Sequence, residues 1–182
     1  MKMNTPNKLT ILRMFLVPVF VYFMLGPVPG GNAGRIIAGV IFIAASLTDT
    51  LDGYLARKNN EITVFGKFMD PLADKLLVCS ALICLVELHI VPGWIVIVII
   101  GREFIISGFR LIAVEKGIVI AAGLWGKLKT ISQMVMVILL VFPFTGFVHT
   151  LGLIFMWIAL ALTIISLVDY ITKNKNVLEE VH

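Results

Sequence analysis

Residues Ser46–Leu76 read SLTDTLDGYLARKNNEITVFGKFMDPLADKL and place four aspartates between two long apolar segments. Asp49 and Asp52 are three residues apart, so in a helix they lie on one face. Asp70 and Asp74 are four residues apart and stack on one face of the next predicted helix. The two helices follow each other in the chain, so the spacing predicts two pairs of carboxylates that face one another.

The composition indicates a membrane protein. Of the 182 residues, 59% are hydrophobic and 14% are charged, whereas a soluble domain is about half apolar and about a quarter charged. A transmembrane helix takes about 20 residues, which leaves room for roughly six helices joined by short loops. We therefore expect an all-α integral membrane protein in which residues 1–182 form a single membrane domain.

The apolar segments predict six transmembrane helices. The opening MKMNTPNKLT is polar and basic, and we expect it to form a short N-terminal interfacial segment before the first span. The expected spans are 9–26, 35–56, 69–91, 92–115, 127–144 and 148–171.

The basic residues indicate the orientation. If the six helices alternate, thirteen of the fifteen lysines and arginines fall on one side; Arg35 alone falls on the other, and Arg102 lies within the fourth span. The positive-inside rule then places both termini in the cytoplasm. Because topology explains the net charge of +4, no nucleic-acid partner is expected.

The four aspartates also indicate a chemistry. An aspartate at a helix centre in lipid costs about 2.5–3.5 kcal/mol, and four that converge would repel one another unless cations lay between them. Two metals about 3.5–4 Å apart are a common partner of such clusters, and oxygen ligands favour Mg²⁺ or Mn²⁺ over zinc. Metals at a membrane face suggest a phosphate-bearing lipid substrate. The alternative is a set of ion pairs with nearby basic residues, which would not need this spacing: Arg57, Lys58, Lys67 and Lys75.

The stretch from Asp49 to Asp74 reads D-x2-D-G-x2-A-R-x8-G-x3-D-x3-D. It resembles the signature of the CDP-alcohol phosphatidyltransferase family, with every fixed place filled. PNKLTILR, GREFIISGFRLIAVEKG and WGKLKTISQM extend the resemblance, in particular to members whose acceptor is sn-glycerol 3-phosphate. The resemblance implies a six-span homodimer in the bacterial cytoplasmic (inner) membrane, with its active site facing the cytoplasm. The implied reaction joins CDP-diacylglycerol to sn-glycerol 3-phosphate and releases CMP.

The resemblance also implies residue roles. The four aspartates would share two divalent cations, and Asp74 would in addition take the proton from the attacking hydroxyl. Small residues would admit the cytidine and an arginine would meet a phosphate; these nucleotide-binding positions are Gly53, Ala56, Arg57 and Gly66.

Asn7 and Thr10 leave two alternatives open. Both stand in PNKLT, where they would contact the nucleotide or its diphosphate. Asn and Thr are also good N-cap residues, so the same two side chains could instead cap the first helix.

The acceptor's phosphate needs cationic partners. Glu103, Ser107 and Arg110 follow i, i+4, i+7 spacing and form one polar stripe on the fourth span. The candidates for phosphate binding are Arg102, Arg110, Lys127 and Lys129. The alternative is that Arg102 and Arg110 form structural ion pairs with Glu103, while the lysines extend to the membrane surface.

Near the end of the last span, Asp169 is expected to pair with Lys173 rather than to join the site.

The expected mechanism is direct displacement at the β-phosphorus of CDP-diacylglycerol, since no residue stands out as a covalent nucleophile. Three rival functions remain open at this stage. The first is a family member with another acceptor, such as inositol phosphate, serine or phosphatidylglycerol. The second is a membrane prenyltransferase, which the Gly and Ala-Arg positions do not fit. The third is a transporter with an acidic ion site, which would place its aspartates near the membrane midplane.

Overall fold

The computed structural model describes residues 5–27, 32–58, 64–115, 117, 120 and 123–174, without the side chains of 5–7, 49–58, 64–68, 70 and 71. This part of the chain contains six α-helices and no strand. The helices are α1 (Thr5–Leu25), α2 (Ala33–Lys58), α3 (Val64–Glu87), α4 (Gly93–Glu115), α5 (Leu124–Val141) and α6 (Phe147–Lys173). Each overlaps one of the six segments predicted from the sequence.

The start of the chain differs from the prediction. Residues 5–10 do not form a separate segment before the first span, because they are the first turns of the continuous helix α1. Pro6 lies in the first turn, where its missing N–H would have no helical partner in any case. Residues 1–4 of the expected interfacial segment lie outside the described part.

The helices fall into two compact units. Unit 1 comprises Met1–Ile90 with Leu140–Phe144, and unit 2 comprises Val91–Leu139 with Thr145–His182. Unit 1 therefore holds the predicted metal and nucleotide residues, and unit 2 holds the predicted acceptor residues. That residues 1–182 form one domain stays a prediction.

In unit 1, α1 packs against both α2 and α3. The buried positions of α1 follow a heptad-like spacing through Val17, Phe20 and Met24, so one face of the helix is buried along its length. The ring of Phe20 lies 6.1 Å from that of Phe42 on α2, centroid to centroid. This packing holds α1 against α2 and α3, the two helices that carry the signature motif.

Arg35 at the start of α2 caps the end of α5 within unit 1. Its Nε donates to the carbonyl of Val141 at 3.1 Å, and its Nη2 donates to those of Leu140 and Phe142 at 2.7 and 3.3 Å. The last carbonyls of a helix have no partner within the helix. Arg35, the one basic residue predicted on the outer side, therefore has a structural use.

In unit 2, α4 and α6 pack against each other. The buried stripe of α6 is apolar or small at first, as at Met156 and Ala159, and then becomes polar. Its last three positions all carry a hydroxyl: Thr163, Ser166 and Tyr170. The second half of α6 thus presents hydroxyl groups to the interior of unit 2.

Several features fit an integral membrane protein. In the described part, three helices are long and apolar enough to cross a membrane: Lys8–Leu25 of α1, Leu124–Val141 of α5, and α6. The apolar part of α2, Ala33–Thr48, is shorter. Large apolar side chains are exposed on all six helices, as expected for surfaces that face lipid. They include Phe15, Val40, Ile83, Ile97, Ile131 and Phe147.

Candidate functional site

The signature residues lie on two helices of unit 1. Asp49 and Asp52 are in the C-terminal half of α2, and Asp70 and Asp74 are in the N-terminal half of α3. Each pair is separated by about one helical turn. Helices α2 and α3 contact each other.

Among the four carboxylates, only that of Asp74 belongs to the described side chains. Asp74 is half-buried and follows Ala73, which is fully buried. The predicted meeting of the two pairs of carboxylates lies outside the described side chains and stays a prediction. No group of three or more metal-ligating His, Cys, Asp or Glu side chains occurs among those that are described.

The predicted nucleotide residues share the helices of the aspartates. Gly53, Ala56 and Arg57 are helical residues of α2, and Gly66 is a helical residue of α3. Their side-chain environment is outside the description, so their roles stay predictions.

Asn7 and Thr10 lie inside α1, which is already helical at Thr5. Neither is therefore the N-cap of that helix, because a cap residue precedes the first helical residue. The alternative that the two side chains cap the first helix is wrong. Thr10 is buried, whereas the side chain of Asn7 is outside the description.

Arg13 is a buried cation that the sequence did not single out. Arg13 is one of the thirteen basic residues on the predicted cytoplasmic side, yet it is only 2% exposed. Arg13 continues the buried face of α1 that begins at Thr10 and runs through Val17. Its spacing from Thr10, one helical turn, is the signal that could have revealed it.

Unit 2 contains a buried ionic cluster in which one carboxylate oxygen serves two cations. Oε1 of Glu103 accepts hydrogen bonds from Nη1 of Arg102, at 3.0 Å, and from Nζ of Lys129. Nε of Arg102 donates to Oγ of Ser166 at 3.2 Å, so the cluster joins α4, α5 and α6. A Cβ at Gly126 would lie 3.4 Å from Nη2 of Arg102, which places the backbone of α5 beside the guanidinium.

The structure separates the four predicted acceptor residues by burial. Arg102 and Lys129 are buried, with Lys129 only 2% exposed, whereas Arg110 and Lys127 are exposed. The alternative that the lysines extend to the surface therefore does not apply to Lys129. The ion pair of Arg102 with Glu103, which the alternative reading of Arg102 requires, occurs in the structure.

The guanidinium of Arg110 lies over the face of an aromatic side chain of α6. Its guanidinium carbon lies 5.9 Å from the centre of the Tyr170 ring, within the range of a cation–π contact. Phe109 meets the same ring edge-on, with the centroids 6.2 Å apart. A cation–π contact leaves the N–H groups of the arginine available to an anion.

Three buried polar atoms of unit 2 have no hydrogen-bond partner among the described residues. They are Oγ of Ser132, Oε1 of Gln133 and the hydroxyl oxygen of Tyr170. All three residues are more than nine-tenths buried. Most buried polar groups in proteins are hydrogen-bonded, so this trio is unusual.

Ser166 is a contact of the cluster that the sequence did not indicate. It bonds Arg102 and also donates to the carbonyl of Thr163 at 3.0 Å. The spacing of the hydroxyl residues at 163, 166 and 170 could have revealed it, since i, i+3, i+7 marks one helix face. Asp169 pairs with Lys173 at 2.7 Å, and that prediction is confirmed.

Comparison with known proteins agrees with the motif. A family profile described as CDP-alcohol phosphatidyltransferase matches residues 3–165, which include parts of both units.

Similar proteins align over nearly the whole chain. A Bacillus subtilis (strain 168) protein named CDP-diacylglycerol–glycerol-3-phosphate 3-phosphatidyltransferase is 43% identical, over 94% of this chain and 95% of its own length. A Haemophilus influenzae protein of the same name is 41% identical, over 96% and 95%. A Mycobacterium tuberculosis protein named probable phosphatidylglycerophosphate synthase is 41% identical, over 93% and 81%.

Proposed function

Because the chain belongs to the CDP-alcohol phosphatidyltransferase family, we propose that it transfers the phosphatidyl group of CDP-diacylglycerol to sn-glycerol 3-phosphate. The products are phosphatidylglycerophosphate and CMP, and the reaction belongs to phospholipid biosynthesis. The observation that carries this proposal is the likeness, over more than nine-tenths of the chain, to proteins named for this donor and this acceptor.

The cations of unit 2 support a phosphorylated acceptor. Lys129 and Arg102 are buried around Glu103, and Arg110 offers a guanidinium over the ring of Tyr170. Arginine pairs with phosphate through two parallel hydrogen bonds, and buried cations interact strongly with anions. These residues, with the exposed Lys127, bind the phosphate of the acceptor. Serine, whose only anionic group is a singly charged carboxylate, would make less use of several cations than a phosphate dianion does.

The aspartates of α2 and α3 suit divalent cations. Enzymes of this family generally use divalent metal ions, and the donor set fits, because two helical pairs of carboxylates offer oxygen ligands alone. Asp49, Asp52, Asp70 and Asp74 would hold two ions, Mg²⁺ or Mn²⁺. When bound, such ions neutralise charge on the phosphoryl group in transfer and on the departing oxygen.

The chain's own residues position the donor and remove a proton. The nucleotide half of CDP-diacylglycerol contacts Gly53, Ala56, Arg57 and Gly66, with Asn7 and Thr10 of α1 beside its diphosphate. Asp74 accepts the proton of the 1-hydroxyl of glycerol 3-phosphate. An ordinary aspartate is a weak base, with a pKa near 4, so its contribution depends on its position.

The transfer is a direct displacement. The oxygen of the acceptor's 1-hydroxyl forms a bond to the β-phosphorus of CDP-diacylglycerol. The bond from that phosphorus to the bridging oxygen breaks, and CMP leaves with the electron pair. No covalent enzyme intermediate is formed.

The membrane arrangement completes the proposal. All six helices span the bacterial cytoplasmic membrane, both termini are cytoplasmic, and the active site faces the cytoplasm, where the acceptor is dissolved. The distribution of lysine and arginine supports this orientation. The enzyme acts as a homodimer.

The test is CMP release by the purified full-length protein from CDP-diacylglycerol in mixed micelles with Mg²⁺ or Mn²⁺. Acceptors are compared in parallel: sn-glycerol 3-phosphate, inositol phosphate, serine and phosphatidylglycerol. We expect release with glycerol 3-phosphate well above that with the others. Release with a different acceptor alone would contradict the acceptor, and no release with any would contradict the activity.

Asp74→Asn tests the signature motif. The change keeps the size of the side chain but removes its negative charge and basicity, so we expect CMP release to fall on the order of 10³-fold. Asp169→Asn is the matched control, because Asp169 pairs with the exposed Lys173. This variant should retain activity. Equal activity of the two variants would contradict the role of Asp74.

A further inference from the structure

The residues that carry the unpartnered atoms of unit 2 are close neighbours of the proposed phosphate-binding cations, either along α5 or through the ring of Tyr170. Ser132 and Gln133 follow Lys129 on α5 by three and four residues, and Tyr170 carries the guanidinium of Arg110. Leaving a buried donor or acceptor unsatisfied costs about 1–3 kcal/mol. A group that binds at this place and supplies hydrogen bonds would remove that cost.

Helix geometry brings the amide of Gln133 towards Lys129. Residues four apart in a helix differ by about 40° around the axis and about 6 Å along it. A helical side chain also covers the turn N-terminal to its own Cα. The side chain of Gln133 therefore extends along the helix towards Lys129. Seen down the axis of α5, Gln133 and Ser132 lie on opposite sides of the direction of Lys129.

We propose that Gln133 binds the 2-hydroxyl of glycerol 3-phosphate and, with Ser132 beside it, makes the enzyme selective for an acceptor that carries this hydroxyl. The inference rests on the proposed function, in which Lys129 binds the acceptor's phosphate. It adds a site for the part of the acceptor that neither reacts nor carries charge.

The chemistry of the unpartnered atom selects the hydroxyl. Oε1 of an amide only accepts hydrogen bonds, so it needs a donor. In glycerol 3-phosphate the phosphate supplies no donor when fully ionised, and the 1-hydroxyl gives up its proton in the reaction. The 2-hydroxyl is the remaining donor, and it lies between the phosphate and the reacting carbon.

A buried amide of this kind rejects an analogue that lacks the hydroxyl, because the amide would then be left without a partner. The analogue is 3-hydroxypropyl phosphate, which keeps the phosphate and the reacting hydroxyl. For wild type we expect kcat/KM with glycerol 3-phosphate to exceed that with the analogue roughly 10-fold or more.

The test compares the two acceptors in wild type and in Gln133→Met, which has a similar length and no hydrogen-bond acceptor of comparable strength. We expect kcat/KM for glycerol 3-phosphate to fall roughly 10-fold and kcat/KM for the analogue to stay within about threefold, so that the preference disappears. Ser132→Ala should lower the preference by a smaller factor.

Thr163→Val is the matched control. Thr163 is a buried hydroxyl of the same unit that already bonds the carbonyl of Ala159 at 2.6 Å, and its loss should leave the preference unchanged. If Gln133→Met lowered kcat/KM equally for both acceptors, the proposal would be overturned. The amide would then stabilise the fold or bind a water without contacting the 2-hydroxyl. A wild type without preference would also overturn it.

A second measurement does not depend on turnover. Ligands that bind only the folded protein raise its thermal midpoint. We expect glycerol 3-phosphate to raise the midpoint of wild type more than the analogue does, and to lose this advantage in Gln133→Met. The same shift with both ligands in wild type would contradict the site. Wild type that releases no CMP with glycerol 3-phosphate would instead contradict the proposed function itself.

Discussion

Glu103 is the residue on which the buried charges of unit 2 depend. Its Oε1 accepts from both Arg102 and Lys129, and the carboxylate is only 22% exposed. Two buried cations that share one carboxylate repel each other when its charge is removed. Loss of one partner from a buried ionic group is costly because the others stay desolvated.

Glu103→Gln should therefore lower the free energy of unfolding by about 3 kcal/mol. The loss is measured as a lower thermal midpoint of the purified protein in detergent. The comparison is Asp169→Asn, which removes a carboxylate from a pair whose lysine is 68% exposed. That change should cost no more than about 0.5 kcal/mol. If the two variants had the same midpoint, the cluster would not contribute to stability as argued.

Lys129→Gln should chiefly weaken binding of the acceptor. A hydrogen bond to a charged group is worth about 1.5–3 kcal/mol, so the KM for glycerol 3-phosphate should rise roughly 10- to 100-fold. The KM for CDP-diacylglycerol should change little, since Lys129 is assigned to the acceptor alone. Lys173→Gln, on the exposed end of α6, is the control. An unchanged KM for the acceptor would remove Lys129 from the phosphate site.

Contacts between residues that are close in sequence can be predicted from the sequence, whereas contacts between distant residues cannot. The pairing of Asp169 with Lys173 follows from their i, i+4 spacing and occurs. The pairing of Arg102 with Glu103 also occurs, but neighbouring residues of a helix do not face each other, so spacing alone left it as one of two alternatives. The contact of Lys129 with Glu103 crosses 26 residues. The two residues meet only because the fold of unit 2 brings these positions of α4 and α5 within side-chain reach, and no helical periodicity encodes that approach.

At the scale of elements, the long apolar segments of the sequence locate all six helices but misplace some of their ends. The predicted first span begins at 9, whereas α1 begins at Thr5; the third begins at 69, whereas α3 begins at Val64. Both errors have one cause. A search for apolar residues stops at polar ones, but a helix continues through them until its hydrogen bonds end.

Arg35 links two elements that are distant in sequence. Its guanidinium bonds three carbonyls at the end of α5, where the helix dipole also favours a cation. Close by, a Cβ at Gly39 would lie 2.5 Å from the ring of Phe142, so only glycine lets that ring lie against α2. The junction of α2 with the end of α5 thus depends on one arginine and one glycine.

Arg35→Leu should lower the free energy of unfolding by about 1.5–3 kcal/mol, because the hydrogen bonds to a charged group are lost. Arg35→Lys should recover part of this, since it keeps the charge but not the planar fork. Both are measured as thermal midpoints in detergent. A leucine variant as stable as wild type would show that water or lipid headgroups replace the cap without cost.

At the scale of the whole molecule, we expect α3 and α4 to cross the membrane although their composition alone does not require it. Both carry ionisable residues within their length, such as Asp74 on α3 and Arg102 on α4, and neither is among the helices apolar enough by composition alone. Their exposed faces, however, present large apolar side chains, including Ile83 and Ile97. In a membrane bundle, ionisable residues face the interior and apolar residues face lipid, so we expect both helices to span.

Labelling of single cysteines tests this expectation. In a background with Cys79→Ala and Cys84→Ala, we expect a membrane-impermeant maleimide to label His89→Cys in intact cells, because His89 is an exposed residue between α3 and α4. Thr145→Cys, exposed between α5 and α6, should also be labelled. Asn174→Cys, after α6, should react only once the membrane is permeabilised. If His89→Cys were protected while Thr145→Cys was labelled, α3 and α4 would not cross, and the orientation inferred from the basic residues would hold only for a four-span protein.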